Sequence, residues 1–171
     1  MNYKIIDNVL DDDEFHIIQK TLLSADFPWY LNNSKVFSNS TVPELYNFQF
    51  THTFYDQYKV QSNHIYLLDK LLSYINPSAI VRIKANLQPV TKNIIVYDMH
   101  NDLENFDGET AVFYVNSNNG YTLLENNQQI SSQANRLLQF SSGLKHAGTT
   151  CTDQKVRCVI NLNYYNWKKL R

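Results

Sequence analysis

The sequence predicts a mainly β fold, a sandwich or barrel with supporting helices. Helical periodicity is confined to two stretches before residue 76. From Ala79 onward, short apolar and β-branched segments follow one another, each bounded by Asn, Asp, Ser or Gly. The chain also carries 12 Tyr and 9 Phe, side chains that pack well on a pleated surface. Helices first and strands afterwards argue against a parallel α/β sheet, in which the two would alternate.

The first element is a strand at Tyr3 to Ile6. The acids Asp11, Asp12 and Asp13 then suit a helix N-terminus, where they meet free amides and the positive end of the dipole. That helix is expected to reach about Ser24, with Phe15, Ile18, Leu22 and Leu23 forming one core-facing stripe. From Phe27 to Asn63 the chain is polar and aromatic. It contains a strand, Phe48 to Tyr55, on which Phe48, Phe50, His52 and Phe54 share a face. His52 reads as a structural histidine, and His16 and His64 carry still less chemical signal. A second helix, Ile65 to Ile75, is closed by Asn76-Pro77, because a residue before proline is pushed out of the α region. The strands that follow are Ile80–Leu87, Ile94–Met99, Thr110–Asn116, Tyr121–Glu125, Arg136–Phe140 and Val156–Tyr165. With no linker, repeat or low-complexity tract, residues 1–171 read as one domain. Its N-terminal helices, about 11–76, pack on a barrel of about 79–165.

Bulk properties narrow the function. A chain of 171 residues can bury a core without disulfides or a structural metal. Its net charge of −1 offers no basic surplus for gripping a polyanion, so a nucleic-acid partner is not expected. Cys151 and Cys158 do not make the disulfide framework of a small secreted domain. The start, Met-Asn-Tyr-Lys-Ile-Ile-Asp, lacks a signal peptide's apolar core, and no run of ~18 apolar residues could span a bilayer. A cytoplasmic protein without membrane attachment is the expectation.

The chemical signal lies in the C-terminal half. His100-Asn101-Asp102 follows directly on a predicted strand, and residues two apart on a strand point the same way and can share an ion. This spacing is common by chance and needs support from elsewhere. His146 supplies it, in a predicted loop after the strand Arg136–Phe140, where Ser141-Ser142-Gly143 can turn the chain. Two imidazoles and one carboxylate on one face of an octahedral metal leave three positions open, the arrangement of non-haem Fe(II) oxygenases. Eleven residues on, Arg157 opens a buried strand, where a guanidinium suits bidentate recognition of the far carboxylate of a 2-oxo diacid. By itself, Arg157 is equally readable as a surface residue paired with Asp153 or Glu125.

Four segments together resemble a known family. They are RIKANLQP (Arg82–Pro89), YDMHND (Tyr97–Asp102), TAVFYVNSNNGYT (Thr110–Thr122) and NRLLQFSSGLKHAGTTCTDQKVRCVINLNYY (Asn135–Tyr165). In this order they resemble the prolyl-4-hydroxylase-like branch of the 2-oxoglutarate- and Fe(II)-dependent dioxygenases, small bacterial and phage forms included. The resemblance covers most of the chain. It implies a double-stranded β-helix, the jelly-roll or cupin-like barrel, with Fe(II) held by His100, Asp102 and His146. It also implies that Arg157 binds the distal carboxylate of 2-oxoglutarate, that the Tyr114 hydroxyl meets the same carboxylate, and that Tyr97 and Asn86 line the pocket. The family's usual spacing from distal histidine to basic residue is nine or ten, so Lys155 competes with Arg157. Strand parity favours Arg157, because Lys155 sits in the polar turn Thr152-Asp153-Gln154.

The implied reaction consumes O2 and 2-oxoglutarate, releases succinate and CO2, and hydroxylates a substrate C–H bond. A peptide or protein side chain such as proline is the first substrate class implied, and a small molecule the second. Trp29, Tyr30, the Phe48–Tyr55 strand and the loops Glu104–Gly108 and Ser117–Gly120 are the candidate substrate-facing elements. Two other readings are a degenerate barrel that binds a carboxylate without turnover and a cupin-type metalloenzyme that does not use 2-oxoglutarate. The intact triad argues against the first, and Arg157 and Tyr114 would have no task in the second.

Overall fold

The computed structural model describes residues 3–33 and 40–166. Eleven strands and two α-helices are present in this part. The strands are β1 (Tyr3–Ile6), β2 (Tyr30–Asn32), β3 (Gln49–Asp56), β4 (Lys59–Val60), β5 (Ala79–Pro89), β6 (Glu109–Tyr114), β7 (Tyr121–Leu124), β8 (Gln129–Ser131), β9 (Arg136–Ser141), β10 (His146–Gly148) and β11 (Val156–Tyr165). The helices are α1 (Asp12–Leu22) and α2 (Asp69–Ile75). Every strand pair is antiparallel. The larger sheet runs β1-β9-β6-β11-β5-β3-β2, with β4 paired to β3, and the smaller runs β10-β7-β8.

The larger sheet separates two environments. On one face Ile83, Ala85, Phe113, Ile160 and Leu162 join Phe15, Ile18 and Leu22 of α1 and Leu71 and Ile75 of α2 in the main core. Phe15 meets Phe113 edge-on at 6.1 Å between ring centroids. On the other face a smaller apolar cluster, Val112, Tyr114, Leu124, Ile130, Leu138 and Val159, joins the two sheets at one end. The rest of that face is polar, and it holds the cavity described below.

Several sequence expectations are corrected here. The residues predicted as a strand at Ile94–Met99 form only one isolated bridge, Val96 with Thr149, and His100 just beyond them forms another with His146. The ladder is interrupted because the Thr150 hydroxyl takes the Ile95 amide and Asp98 is drawn away to the Thr41 amide. The predicted strands at Tyr3–Ile6 and Phe48–Tyr55 are present as β1 and β3, and together with β2, which was not predicted, they extend the larger sheet. The predicted second helix begins as a 3-10 turn, Asn63–Leu68, and only Asp69–Ile75 is α-helical. Leu23 lies outside α1 and is exposed, because the helix stops one residue short of completing the stripe. Trp29 packs on the main core with its indole N–H donating to the Leu22 carbonyl, rather than facing a substrate. Among the described residues, no helix is long and apolar enough to cross a membrane.

With only four glycines in the chain, asparagine takes over the left-handed backbone positions: Asn8, Asn76, Asn105, Asn127 and Asn135 all have positive φ. Asn135 does most with this freedom. Its buried amide accepts from the Leu10 N–H at 3.0 Å and donates to the Leu10 carbonyl at 2.7 Å, fastening the approach to α1 onto the start of β9. Asn135→Ala strands both Leu10 groups and leaves at φ 60° a residue that tolerates the left-handed region less well than asparagine. Urea denaturation should show a loss of about 2–3 kcal/mol, the cost of leaving buried backbone groups unpaired. A loss below about 0.5 kcal/mol, the level of a bystander surface change, would show that the clamp is not structural.

Candidate metal centre

Alternation along two strands builds the site. β5 turns Arg82, Lys84, Asn86 and Gln88 to one face, and β11 turns Arg157, Val159, Asn161 and Asn163 to the same face. All but Asn163 line a cavity of about 180 Å3, together with His100, Asp102 and His146. The period-two polar pattern was present in both strands of the sequence, but it marks a ligand face only once the opposite sheet covers it.

The three proposed metal ligands converge. Their ligating atoms all lie within 4.8 Å of one another, close enough to share one ion. His146 is the first residue of β10, so it stands on a short strand and not in the loop expected. The turn lies upstream, closed by the Leu144 amide on the Ser141 carbonyl. His100 and His146 exchange backbone hydrogen bonds, each N–H to the other's carbonyl at 3.0 Å, which sets the rings 4.8 Å apart. His100 Nδ1 lies 3.0 Å from the Asp98 carbonyl. A carbonyl can only accept, so Nδ1 carries the proton and Nε2 keeps a lone pair for a metal.

Asp102 is held from several sides. One carboxylate oxygen lies 3.4 Å from Arg82 and 3.9 Å from His146 Nε2, and the other accepts from Asn163 at 3.0 Å. Burial opposes its ionisation. The charges of His146 and Arg82, the Asn163 hydrogen bond and His100 together outweigh that penalty and hold the pKa at about 2. The group is therefore a carboxylate at neutral pH, as metal ligation requires.

Arg157 is 1% exposed, which removes the surface ion-pair reading, whereas Lys155 is exposed in the turn. Its guanidinium donates to Ser132 at 2.9 Å, Thr122 at 3.2 Å and Gln88 at 3.4 Å. Among the described residues no carboxylate comes within 4.0 Å of it. Ser132, Thr122 and Gln88 were not singled out from the sequence, because they come from three strands or their flanks with no motif between them. Tyr114 is fully buried, with its ring 5.8 Å from the guanidinium carbon and its hydroxyl donating to Thr122 at 2.8 Å. It therefore braces Arg157 and Thr122 from behind. Asn86 lines the cavity with its carbonyl oxygen buried and unpartnered. Tyr97 does not line it. Its hydroxyl donates to the Tyr46 carbonyl, and its ring borders a separate apolar pocket with Leu45, Phe48 and Val90. Burial there raises its pKa to about 12, against an opposing pull from Arg157.

No protein-family model matches the sequence, and no curated protein matches it either. Solved structures do. A prolyl hydroxylase from Trichoplax adhaerens, in complex with a hypoxia-inducible-factor peptide fragment, superposes with a TM-score of 0.68 at 18% identity, covering 98% of this chain and 84% of its own. A 2OG-Fe(II) oxygenase family oxidoreductase from Burkholderia pseudomallei gives 0.69 at 12% identity, over 96% and 85%. The non-haem α-ketoglutarate-dependent epimerase of nogalamycin biosynthesis gives 0.69 at 13% identity, over 96% and 76%. At these identities the likeness speaks for the backbone, and on that ground the chain has the jelly-roll fold of the prolyl hydroxylases and other 2-oxoglutarate- and Fe(II)-dependent oxygenases.

Proposed function

We propose that this protein is a 2-oxoglutarate- and Fe(II)-dependent oxygenase, with His100, Asp102 and His146 as iron ligands and Arg157 as the anchor for the distal carboxylate of 2-oxoglutarate. The observation that carries the reading is the company the triad keeps: a sealed arginine, with no acidic partner among the described residues, lines the same cavity. A guanidinium has five N–H donors, and three are used, one on Nε and one on each terminal nitrogen. One donor on each terminal nitrogen is left for a bidentate carboxylate. Burying such a charge among neutral groups is costly unless an anion joins it. A cupin-type metalloenzyme that ignores 2-oxoglutarate leaves this cost without a return.

Bound iron would supply the activation of O2 that couples decarboxylation of 2-oxoglutarate, to succinate and CO2, with oxidation of a substrate C–H bond. The chain's own part is to orient and enclose. Thr122 and Gln88 fix the guanidinium, Tyr114 fixes Thr122, and the Asp98 carbonyl fixes the His100 tautomer. The loop Ser117–Gly120 closes the arginine end of the cavity through Asn118 and Gly120, which bond to Ser132. Substrate would therefore enter from the opposite, Asp102 end, beside the loop Glu104–Gly108. Hydroxylation of a peptide side chain or a small molecule both suit this fold, since one similar structure holds a peptide and another is an epimerase. Cys151 and Cys158 are both free and buried, in keeping with a reducing, intracellular setting.

Three outcomes test the reading. Anaerobic addition of Fe(II) and 2-oxoglutarate should produce the weak visible absorption of the bound pair, and His146→Ala should lose both it and succinate formation. Unchanged turnover in that variant rejects the triad. Arg157→Ala should weaken 2-oxoglutarate by roughly 30-fold or more, from about 2–5 kcal/mol for an unpaired buried carboxylate, while iron binding stays and Lys155→Ala is silent. The reverse pattern moves the anchor to Lys155, and no effect from either removes 2-oxoglutarate from the proposal. Gly120→Ala should also act through Arg157. A β-carbon there meets the Thr150 carbonyl at 2.6 Å and Arg157 Cδ at 2.8 Å, so the side chain must shift and the 2-oxoglutarate KM should rise roughly 10-fold, equivalent to about 1.4 kcal/mol. An unaltered KM would show that the arginine stem adapts freely.

A further inference from the structure

The cavity contains more positive charge than the proposed chemistry uses. Arg82, Lys84 and Arg157 line it, and among the described residues Asp102 is the one carboxylate that does. A divalent metal and a dianionic co-substrate cancel each other, which leaves three cations facing one acid. Arg157 is assigned above, and Arg82 stands against Asp102. Lys84 remains. It is half-buried, and among the described residues its ammonium forms no hydrogen bond and no ion pair. The charges that act on it are Arg82, which repels it, and Asp102 and Asp56, both beyond ion-pair contact.

The surroundings of Lys84 are built for a ligand. Its register partner across β11 is Asn161, and its neighbour on the same face of β5 is Asn86. Both asparagines line the cavity, at 9% and 6% exposure, and the side-chain oxygen of each is buried without a partner. Buried polar atoms of this kind are uncommon unless something polar completes them. At a rise of about 3.4 Å per residue, Lys84 stands roughly 14 Å along β5 from Gln88, which touches Arg157. That is too far to share the carboxylate held there. Resting on the oxygenase reading of the site, we propose that Lys84 is the substrate anchor: the substrate presents an anionic group, a carboxylate or a phosphate, to its ammonium, with Asn86 and Asn161 meeting polar groups on either side.

The test uses the full chain under anaerobic conditions, saturated with Fe(II) and 2-oxoglutarate, and calorimetric titration with small probes. N-acetylglycine supplies a carboxylate, methyl phosphate a phosphate, and N-acetylglycinamide a neutral control. At least one anion should bind the unaltered protein 10-fold or more tighter than Lys84→Met, and Lys84→Arg should recover most of that difference. The neutral amide should not distinguish the variants, and 2-oxoglutarate affinity in Lys84→Met should stay within 2-fold. The proposal is overturned if neither anion binds, if both bind Lys84→Met equally well, or if that variant loses 2-oxoglutarate as Arg157→Ala does. Failure of the unaltered protein to take up Fe(II) and 2-oxoglutarate would count against the oxygenase reading instead. The same titrations without co-substrate then still decide whether Lys84 holds an anion.

Discussion

One constraint organises this molecule: β5 and β11 must present an apolar face to the helices and a polar face to the cavity. A strand meets that demand only by strict alternation, because successive side chains point to opposite faces. Ile83 and Ala85 therefore pack beneath the helices, while Lys84 and Asn86 between and beside them line the cavity. A slip of one residue in β5 would turn Arg82 and Lys84 into the apolar core, and a slip in β11 would do the same to Arg157 and Asn161. The apolar cluster around Val112 and Leu138 holds the smaller sheet over the larger at one end, which leaves the remaining polar face covered but not filled.

The cavity is unusual in how its charges are distributed. Arg157 is enclosed by hydroxyls, an amide and a tyrosine ring, all neutral, and Tyr114 and Thr122 work as one brace behind it. Had a resident carboxylate neutralised it, the arginine would be a structural ion pair with no capacity to receive a ligand. Asp102 is arranged the opposite way, with Arg82, His146 and Asn163 all favouring its ionised form. A permanent anion at one end and a waiting cation at the other give the cavity a direction. The polar pair at Asn86 and Asn161 lies between these ends, beside Lys84.

Geometry around the histidines is fixed by backbone more than by side chains. His100 and His146 come from segments that are barely strands, yet their amides and carbonyls bond to each other, and the Asp98 carbonyl orients one imidazole. Asparagine supplies the tight corners that glycine would normally make, with Asn135 both turning the chain and anchoring Leu10. The Asn135 clamp joins residues 125 positions apart, so propensity and spacing give no sign of it.

The sequence by itself determined the β-rich class, most strand positions and the four residues on which the proposed chemistry turns: His100, Asp102, His146 and Arg157. Fold class and strands were legible because alternation and turn residues are local properties, whereas the His-x-Asp spacing is common by chance and the four site residues gained their weight from the resemblance of the ordered segments that hold them. Only the tertiary structure decided that Arg157 is sealed and, among the described residues, lacks an acidic partner, since burial is set by what the opposite sheet covers. It also placed His146 on a strand, left the predicted strand at Ile94–Met99 with one isolated bridge, turned the Tyr114 hydroxyl to Thr122 beside Arg157, and set Tyr97 against a separate pocket. Trp29 shows the same limit, as an aromatic in a polar stretch that packs, partly buried, against the main core. The reason is common to all: a side chain's role depends on partners distant in the chain, and one sequence records the residue but not the neighbour it will meet.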